Sequence, residues 1–351
     1  MRLPSGTYNV SYEEDMAIIR TRTQWWLFSL FILFLFLLPF IPGIGSRYML
    51  GMINVALIWM VAVLGLCILT GFCGQISLGH AAFMACGAYT SAILMTHLNI
   101  GFWLAAPLAV LLTALVGVFF GLPALRLKGL YLIMATLAAQ YIIIYFFTHI
   151  PALTGGGEGM RVPIARLGDF ELIGANANYY LILTSTVLAT FIAVNIGRSQ
   201  IGRAFISIRD NDIAAEVLGV NLTKYKLMAF AIGCGFAGWA GALWANNSQM
   251  LAYEQFSIMN SLWFLGALIV GGQGSVLGAI FGVLFVRLLF EGMTEIAPIL
   301  SRILPGAISI GSVGQITFGL AIILFLIFEP RGLSHRWQII KASYRLFPFA
   351  H

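Results

Sequence analysis

The residues able to do chemistry in this chain are few, and their spacing excludes most chemistries. Five histidines, His80, His97, His149, His335 and His351, are scattered; none forms an i, i+4 pair or sits near a carboxylate in sequence. No metal site is expected from them. Cys67, Cys73, Cys86 and Cys234 lie in apolar stretches without a CxxC pair and read as small packing residues. Gly-Lys never occurs, so no P-loop lysine reaches a nucleotide phosphate. Gly-Ile-Gly-Ser at 43–46 lacks the order of a nucleophile elbow. No catalytic residue is expected. Two polar sets remain. Gln75, Ser77 and His80 follow one glycine cluster, and Gln273 and Ser275 sit in another. In apolar surroundings such side chains either line a path for a polar solute or hydrogen-bond packed helices. The second set is charged: Arg203, Arg209, Asp210, Asp212, Glu216, Lys224 and Lys226 crowd into 201–226.

The elements that must hold these residues are membrane helices. Of 351 residues, 60% are hydrophobic and only 9% charged, against about 25% charged in soluble domains. So little charge cannot coat a surface facing water, and membrane lipid is the expected solvent. Tyr48 to Leu125 contains no Asp, Glu, Lys or Arg, enough for about three spans of roughly 20 residues each. The solid run WWLFSLFILFLFLLPFI does not alternate as a barrel strand would. Backbone groups in hydrocarbon must be satisfied internally, so the spans are expected to be helices. The fold class is an all-α polytopic membrane protein with about ten transmembrane or re-entrant helices. The segments are 25–42, 48–70, 75–98, 102–125, 130–150, 178–197, 226–246, 258–272, 276–291 and 313–329. The first follows 24 residues that include Glu13, Glu14 and Asp15, and it reads as a retained span rather than a secretory signal. The eighth and ninth are short and meet at GGQGS, and one or both are candidates for re-entrant segments rather than full spans.

The net charge of +6 follows the positive-inside pattern, and no nucleic-acid partner is expected. Arg20 and Arg22 precede the first span, Arg126 and Lys128 occupy a turn, and Arg331, Arg336, Lys341 and Arg345 follow the last. Both termini and the 198–226 loop are thus expected on the cytoplasmic side. The domains read as a cytoplasmic N-terminal tail (1–24), a transmembrane domain (25–329) and a cytoplasmic C-terminal tail (330–351). The loop 151–177 is the longest on the outer side, a plain connector or a docking surface; 247–257 and 292–312 are the other outer candidates.

LGLCILTGFCGQISLG (64–79) and LGALIVGGQGSVLG (265–278) run alike. Transporters built from repeats often break membrane helices with glycine at matching places beside the substrate path. The alternative is coincidence in a chain with 38 glycines. The sense of such a repeat, parallel or inverted, stays open at this level. Carboxylates are almost absent from the spans. Arg287 and Glu291, four apart near an outer end, read as a helical ion pair. An ion-coupled carrier usually keeps mid-span carboxylates, so a channel or a pore powered by another chain fits better.

Within the charged loop, DIAAEVL (212–218) reads as a short surface helix. Asp210, Asn211 or Asp212 can cap its start, Ala214, Ala215 and Glu216 favour helix, and Gly219 can close it. Ala214 and Ala215, with Leu218 on the same side, are expected to form a small-residue face within a charged rim. A docking element and a solvated connector helix both satisfy these residues.

GQISLGHAAFMACGAY (74–89), GLYLIMATLA (129–138), LTGGGEGM (153–160), GRAFISIRDNDIAAEVLGVNLTKYKLMAF (202–230), FAGWAGAL (236–243), GGQGSVLGAIFG (271–282) and EPRGL (329–333) stand in this order. From about 48 to 337 the chain resembles the LivM-type permeases of branched-chain amino acid ABC importers. The resemblance implies a prokaryotic inner-membrane permease that pairs with a LivH-like second permease, two cytosolic ABC ATPases and a periplasmic substrate-binding protein. It implies no cofactor in this chain, with ATP and Mg in the partner ATPases. Arg203, Arg209, Asp210, Asp212, Ala214, Ala215, Glu216 and Gly219 then belong to a coupling loop. AAEVLG (214–219) is similar to the importer E-A-A-x-x-x-G pattern and departs from it at Ile213, where that pattern has Glu. Importers of urea, amides or aromatic acids have similar permeases. A stand-alone channel or facilitator is the rival class, and a membrane enzyme the third.

Overall fold

A computed structural model describes residues 22–41, 45–127, 129–167, 170–171, 174–303, 310–329 and 331–346. The tail before Arg22, Lys128 in the expected turn, parts of the two outer loops and the last five residues lie outside them. The helices are α1 (Arg22–Leu37), α2 (Arg47–Leu66, continued by a π-helical turn Cys67–Phe72), α3 (His80–His97), α4 (Phe102–Ala124) and α5 (Leu130–His149). There follow α6 (Ala175–Arg198), α7 (Gln200–Asp210), α8 (Asp212–Val217), α9 (Leu222–Ser248), α10 (Ile258–Gly271), α11 (Val276–Ile303), α12 (Ile310–Phe328) and α13 (Leu333–Leu346). The chain is an all-α, multi-pass membrane protein. Every expected membrane segment holds a helix, and among the described residues six helices are long and apolar enough to cross a bilayer.

The centre is built on α2 and α9, whose most apolar windows are 83% and 67% buried; the equivalent windows of α4, α5 and α6 are 33% buried and turn large apolar side chains outward. Lipid supplies no hydrophobic drive between helices, so close backbone approach does the work. A Cβ on Gly65 would lie 2.6 Å from the Gly233 carbonyl oxygen, and one on Gly87 would collide with the Gly238 backbone. These glycines let α9 settle against α2 and α3.

One end of the bundle carries two short ribbons. β1 (Met160–Arg161) pairs with β4 (Met250–Leu251), and β2 (Arg166–Leu167) with β3 (Phe170–Glu171), both antiparallel. Trp103 Nε1 donates to the Arg166 carbonyl at 3.0 Å and the Ala165 amide to Asn246 Oδ1 at 3.0 Å. The described loop residues 160–167 are therefore pinned to the bundle. Nearby, Arg287 stacks its guanidinium over Trp59 at 5.2 Å while Glu291 accepts from the Tyr48 hydroxyl. Arg287 and Glu291, expected as a helical ion pair, thus also have aromatic partners.

The opposite end carries the polar segment. Three side-chain caps order it: Ser199 accepts from Gly202 N at 3.3 Å, Asn211 from Ala214 N at 3.0 Å and Asn221 from Lys224 N at 3.0 Å. They start α7, α8 and α9 in turn. Gly219, at φ +86°, ends α8 in the left-handed conformation that glycine adopts most easily. The C-terminal residues return here: a Cβ on Gly332 would lie 2.5 Å from Gly272 Cα, and the Gly272 position faces Ser334.

Candidate functional site

Both glycine clusters interrupt helices, and the interruptions meet at the polar end. The first break leaves 73–79 without regular structure, so the segment expected at 75–98 is helical only from His80. His80 Nε2 lies 2.8 Å from the Ala62 carbonyl oxygen. Ala62 stands ten residues before Phe72, roughly 15 Å along a helix, so α3 starts about midway along α2. The second break is tighter: Gly272 (φ +110°) closes α10, and Ser275 Oγ caps α11 by accepting from Gly278 N at 3.2 Å. A Cβ on Gly71 would lie 2.8 Å from Gly274 N, and the amides of Gly274 and Ser275 face the Cys67 sulfur. Both α2 and α10 arrive at this junction and α3 and α11 leave it, so the two similar passages run in the same sense.

The buried start of α3 is closed by the protein itself. The Leu78 amide donates to Thr136 Oγ1 at 3.1 Å, the Ala81 amide to Ser261 Oγ at 2.9 Å and the Ala82 amide to Gln140 Oε1 at 2.9 Å. Ser77 Oγ accepts from Gly79 N at 3.3 Å. A helix start in hydrocarbon must satisfy its free amides, and α5 and α10 supply the acceptors. These amides are therefore taken by Thr136, Gln140 and Ser261, and a substrate carboxylate finds no free donor among them. Ser77 and His80 are fully buried, Gln75 is 7% exposed, Ser275 is half-buried and Gln273 is exposed. The five expected path residues share the break region but face different surroundings.

Beside the first break lies a polar cavity of about 350 Å³, lined by Gly74, Gln75, Arg209, Asp210, Asp212 and Lys226 among others. Lys226 is 6% exposed and faces Asp212 Oδ2 at 3.8 Å. Arg209 Nε and Nη2 both donate to Asp210 Oδ1, at 3.0 and 2.9 Å. Its Nη1 donates to the Gly71 carbonyl at 2.9 Å. Arg203 Nη1 donates to the Arg198 carbonyl at 3.2 Å.

The outward face of α8 differs from the expected one. Ala214 is exposed, but Ala215 is 1% exposed and packs into the body. Neighbouring residues on a helix point about 100° apart, so the two alanines cannot share an outward face. The exposed apolar residues are Ile213, Val217 (83% exposed) and Leu218, with Glu216 beside them. Sequence reasoning passed over Ile213 as a departure from a pattern, and it had no basis for singling out Val217. Gln140 and Ser261 were missed because their partners lie 58 and 180 residues away.

A membrane bundle with glycine breaks between α2 and α3 and between α10 and α11, beside a polar, knobbed loop, has the organisation of a transport permease. The chain belongs to the family described as branched-chain amino acid transport system / permease component, whose model matches residues 48–313. It is similar to the high-affinity branched-chain amino acid transport system permease proteins LivM of Salmonella typhimurium (28% identical) and Escherichia coli K12 (29%). Each similarity covers 83% of this chain and 71% of the relative. It is also similar to the autoinducer 2 import system permease protein LsrC of Salmonella paratyphi B, 28% identical over 56% of this chain and 57% of the relative. No solved structure matches the chain.

Proposed function

We propose that this chain is the permease subunit of an ATP-driven importer for branched-chain amino acids. The observation that carries the reading is the knob on α8: Ile213, Val217 and Leu218 stand out at 69%, 83% and 81% exposure from a charged surface. Apolar side chains held this far into water, on a capped helix, suit a cleft in a soluble partner. The partner is a cytosolic ABC ATPase, present twice, which binds ATP and Mg and hydrolyses the ATP. In this reading α8 and both termini face the cytoplasm at a prokaryotic inner membrane, which the positive-inside pattern supports. A LivH-like second permease completes the path. A periplasmic binding protein delivers substrate to the outer loop 151–177 and its neighbour at 247–257. Closure of the ATPases moves α8 and opens the path alternately to each side. An aliphatic amino acid offers an apolar side chain and a zwitterion; Gln75, in the polar cavity, is the path residue best placed to meet the latter. Cargo is set largely by the binding protein, and the likeness to LsrC supports a scaffold that carries different solutes.

The test is co-reconstitution of the chain with its second permease, ATPases and binding protein in liposomes. Leucine-loaded binding protein should stimulate ATP hydrolysis and drive labelled leucine inward. Uptake that proceeds without ATPases would establish a channel and refute the proposal.

A further inference from the structure

Arg209 belongs to the charged segment by sequence and keeps 36% of its side chain in solvent, yet its Nη1 reaches into the junction of the two helix breaks. Asp210 holds the Nε and Nη2 edge of the guanidinium, which leaves Nη1 pointing at Gly71. The Gly71 carbonyl stands at the C-terminal end of α2, where helix carbonyls lack internal partners and carry partial negative charge. A cation is the favoured partner there.

Two glycines make room for this one side chain, and a third accepts its hydrogen bond. A Cβ on Gly74 would lie 3.0 Å from Arg209 Cγ, and one on Gly274 would lie 2.8 Å from Nη1. Gly71 supplies the acceptor and touches Gly274. Gly71 lies in the turn before the first break, Gly74 lies within that break, and Gly274 lies within the second. The backbones of both breaks thus form a cradle around a single guanidinium. Arg209 is also separated from α8 only by Asp210 and the capping residue Asn211.

We propose that Arg209 is the positioning residue that ties the α7–α8 segment to both helix breaks at once. The proposal rests on the reading of α8 as the ATPase-docking helix and adds where its motion goes. The bond is 2.9 Å long, so a displacement of α7–α8 by about 1 Å carries it beyond hydrogen-bonding range. Movement of α8 then releases or re-seats the ends of α2 and α10 together, rather than bending one and sparing the other.

The test uses the complete reconstituted importer with Arg209→Gln and Arg209→Lys. In Arg209→Gln the ATPases should still co-purify and basal hydrolysis should stay near wild type. Uptake per ATP should fall about tenfold, the loss of one charge-assisted hydrogen bond. Arg209→Lys, which restores the charge without the fork, should recover part of that ratio. An unchanged ratio in Arg209→Gln overturns the proposal. Loss of the ATPases from Arg209→Gln overturns it too, because Arg209 would then be a docking contact, with the docking reading intact. Retention of the ATPases by Val217→Asp would count against the docking reading instead. If Arg209→Gln does not fold, hydrogen exchange on the wild-type complex decides: trapping the ATPases with vanadate should alter amide protection at 72–75 and 273–275 together. A change at one break alone, or at neither, overturns the proposal.

Discussion

Gln140 on α5 holds the start of α3 in place: its Oε1 accepts from the Ala82 amide at 2.9 Å while its Nε2 donates to the Phe256 carbonyl at 2.8 Å. One amide side chain thereby fixes a mid-bundle helix end and the segment leading into α10. Gln140 is 2% exposed, so water cannot replace it. Gln140→Leu should leave the buried Phe256 carbonyl without this partner, at about 1–3 kcal/mol, and leave the Ala82 amide only its 3.0 Å bond to the Gly79 carbonyl. The thermal midpoint of the purified chain should fall by about 2 °C or more. An unchanged midpoint would show that α3 does not depend on this cap.

The knob on α8 separates docking from folding. Val217 and Leu218 are more than four-fifths exposed, while Ala215 is 1% exposed. Val217→Asp with Leu218→Asp should leave the thermal midpoint within the change of about 0.5 kcal/mol typical of surface substitutions and remove the ATPases from the purified complex. Ala215→Asp should instead destabilise the chain, because it buries a charge. Full recovery of ATPases with the double variant would mean that they grip another surface.

Close packing of α3 on α9 predicts a strong size effect. Gly87 faces the Gly238 backbone with no room for a Cβ, whereas Gly51 on α2 has nothing within 4 Å of that position. Gly87→Val should destabilise by about 1–3 kcal/mol or more and reduce the monodisperse fraction after extraction. Gly51→Ala should be neutral or stabilising by up to about 1 kcal/mol. Equal behaviour of the two variants in a thermal melt would contradict the packing described.

On the far end, Asn246 links three segments: it accepts from the Ala165 amide at 3.0 Å and donates to Asn178 Oδ1 at 3.1 Å. Asn246→Leu should loosen the 151–171 loop, seen as faster limited proteolysis there. It should also raise the binding-protein concentration needed for half-maximal ATP hydrolysis, with basal hydrolysis unchanged. Unaltered stimulation would exclude this loop from binding-protein recognition.

Helix positions were legible because long stretches without charge leave membrane helices as the workable solution, as from Tyr48 to Leu125. The two breaks were legible as paired glycine clusters, and the α8 helix as a capped run. The mid-depth start of α3 was hidden, because an apolar segment reads the same whether helical or extended. The roles of Arg209, Gln140 and Ser261 were hidden as well. Composition shows that a residue is polar, whereas its acceptor is chosen by tertiary contact with positions far along the chain, such as Gly71. The outward face of α8 went astray for a simpler reason: helix periodicity gives relative directions and leaves the absolute rotation to the residues packed beneath.

Gly332 nests against Gly272 so tightly that neither position has space for a side chain. The stretch after α12 is thereby hooked to the α10–α11 hairpin, and α13 begins from that hook. An extra residue spliced between 331 and 334 would unhook it, so a reporter domain belongs beyond Leu346, where it can ride on the hairpin's motion without dislodging the clasp.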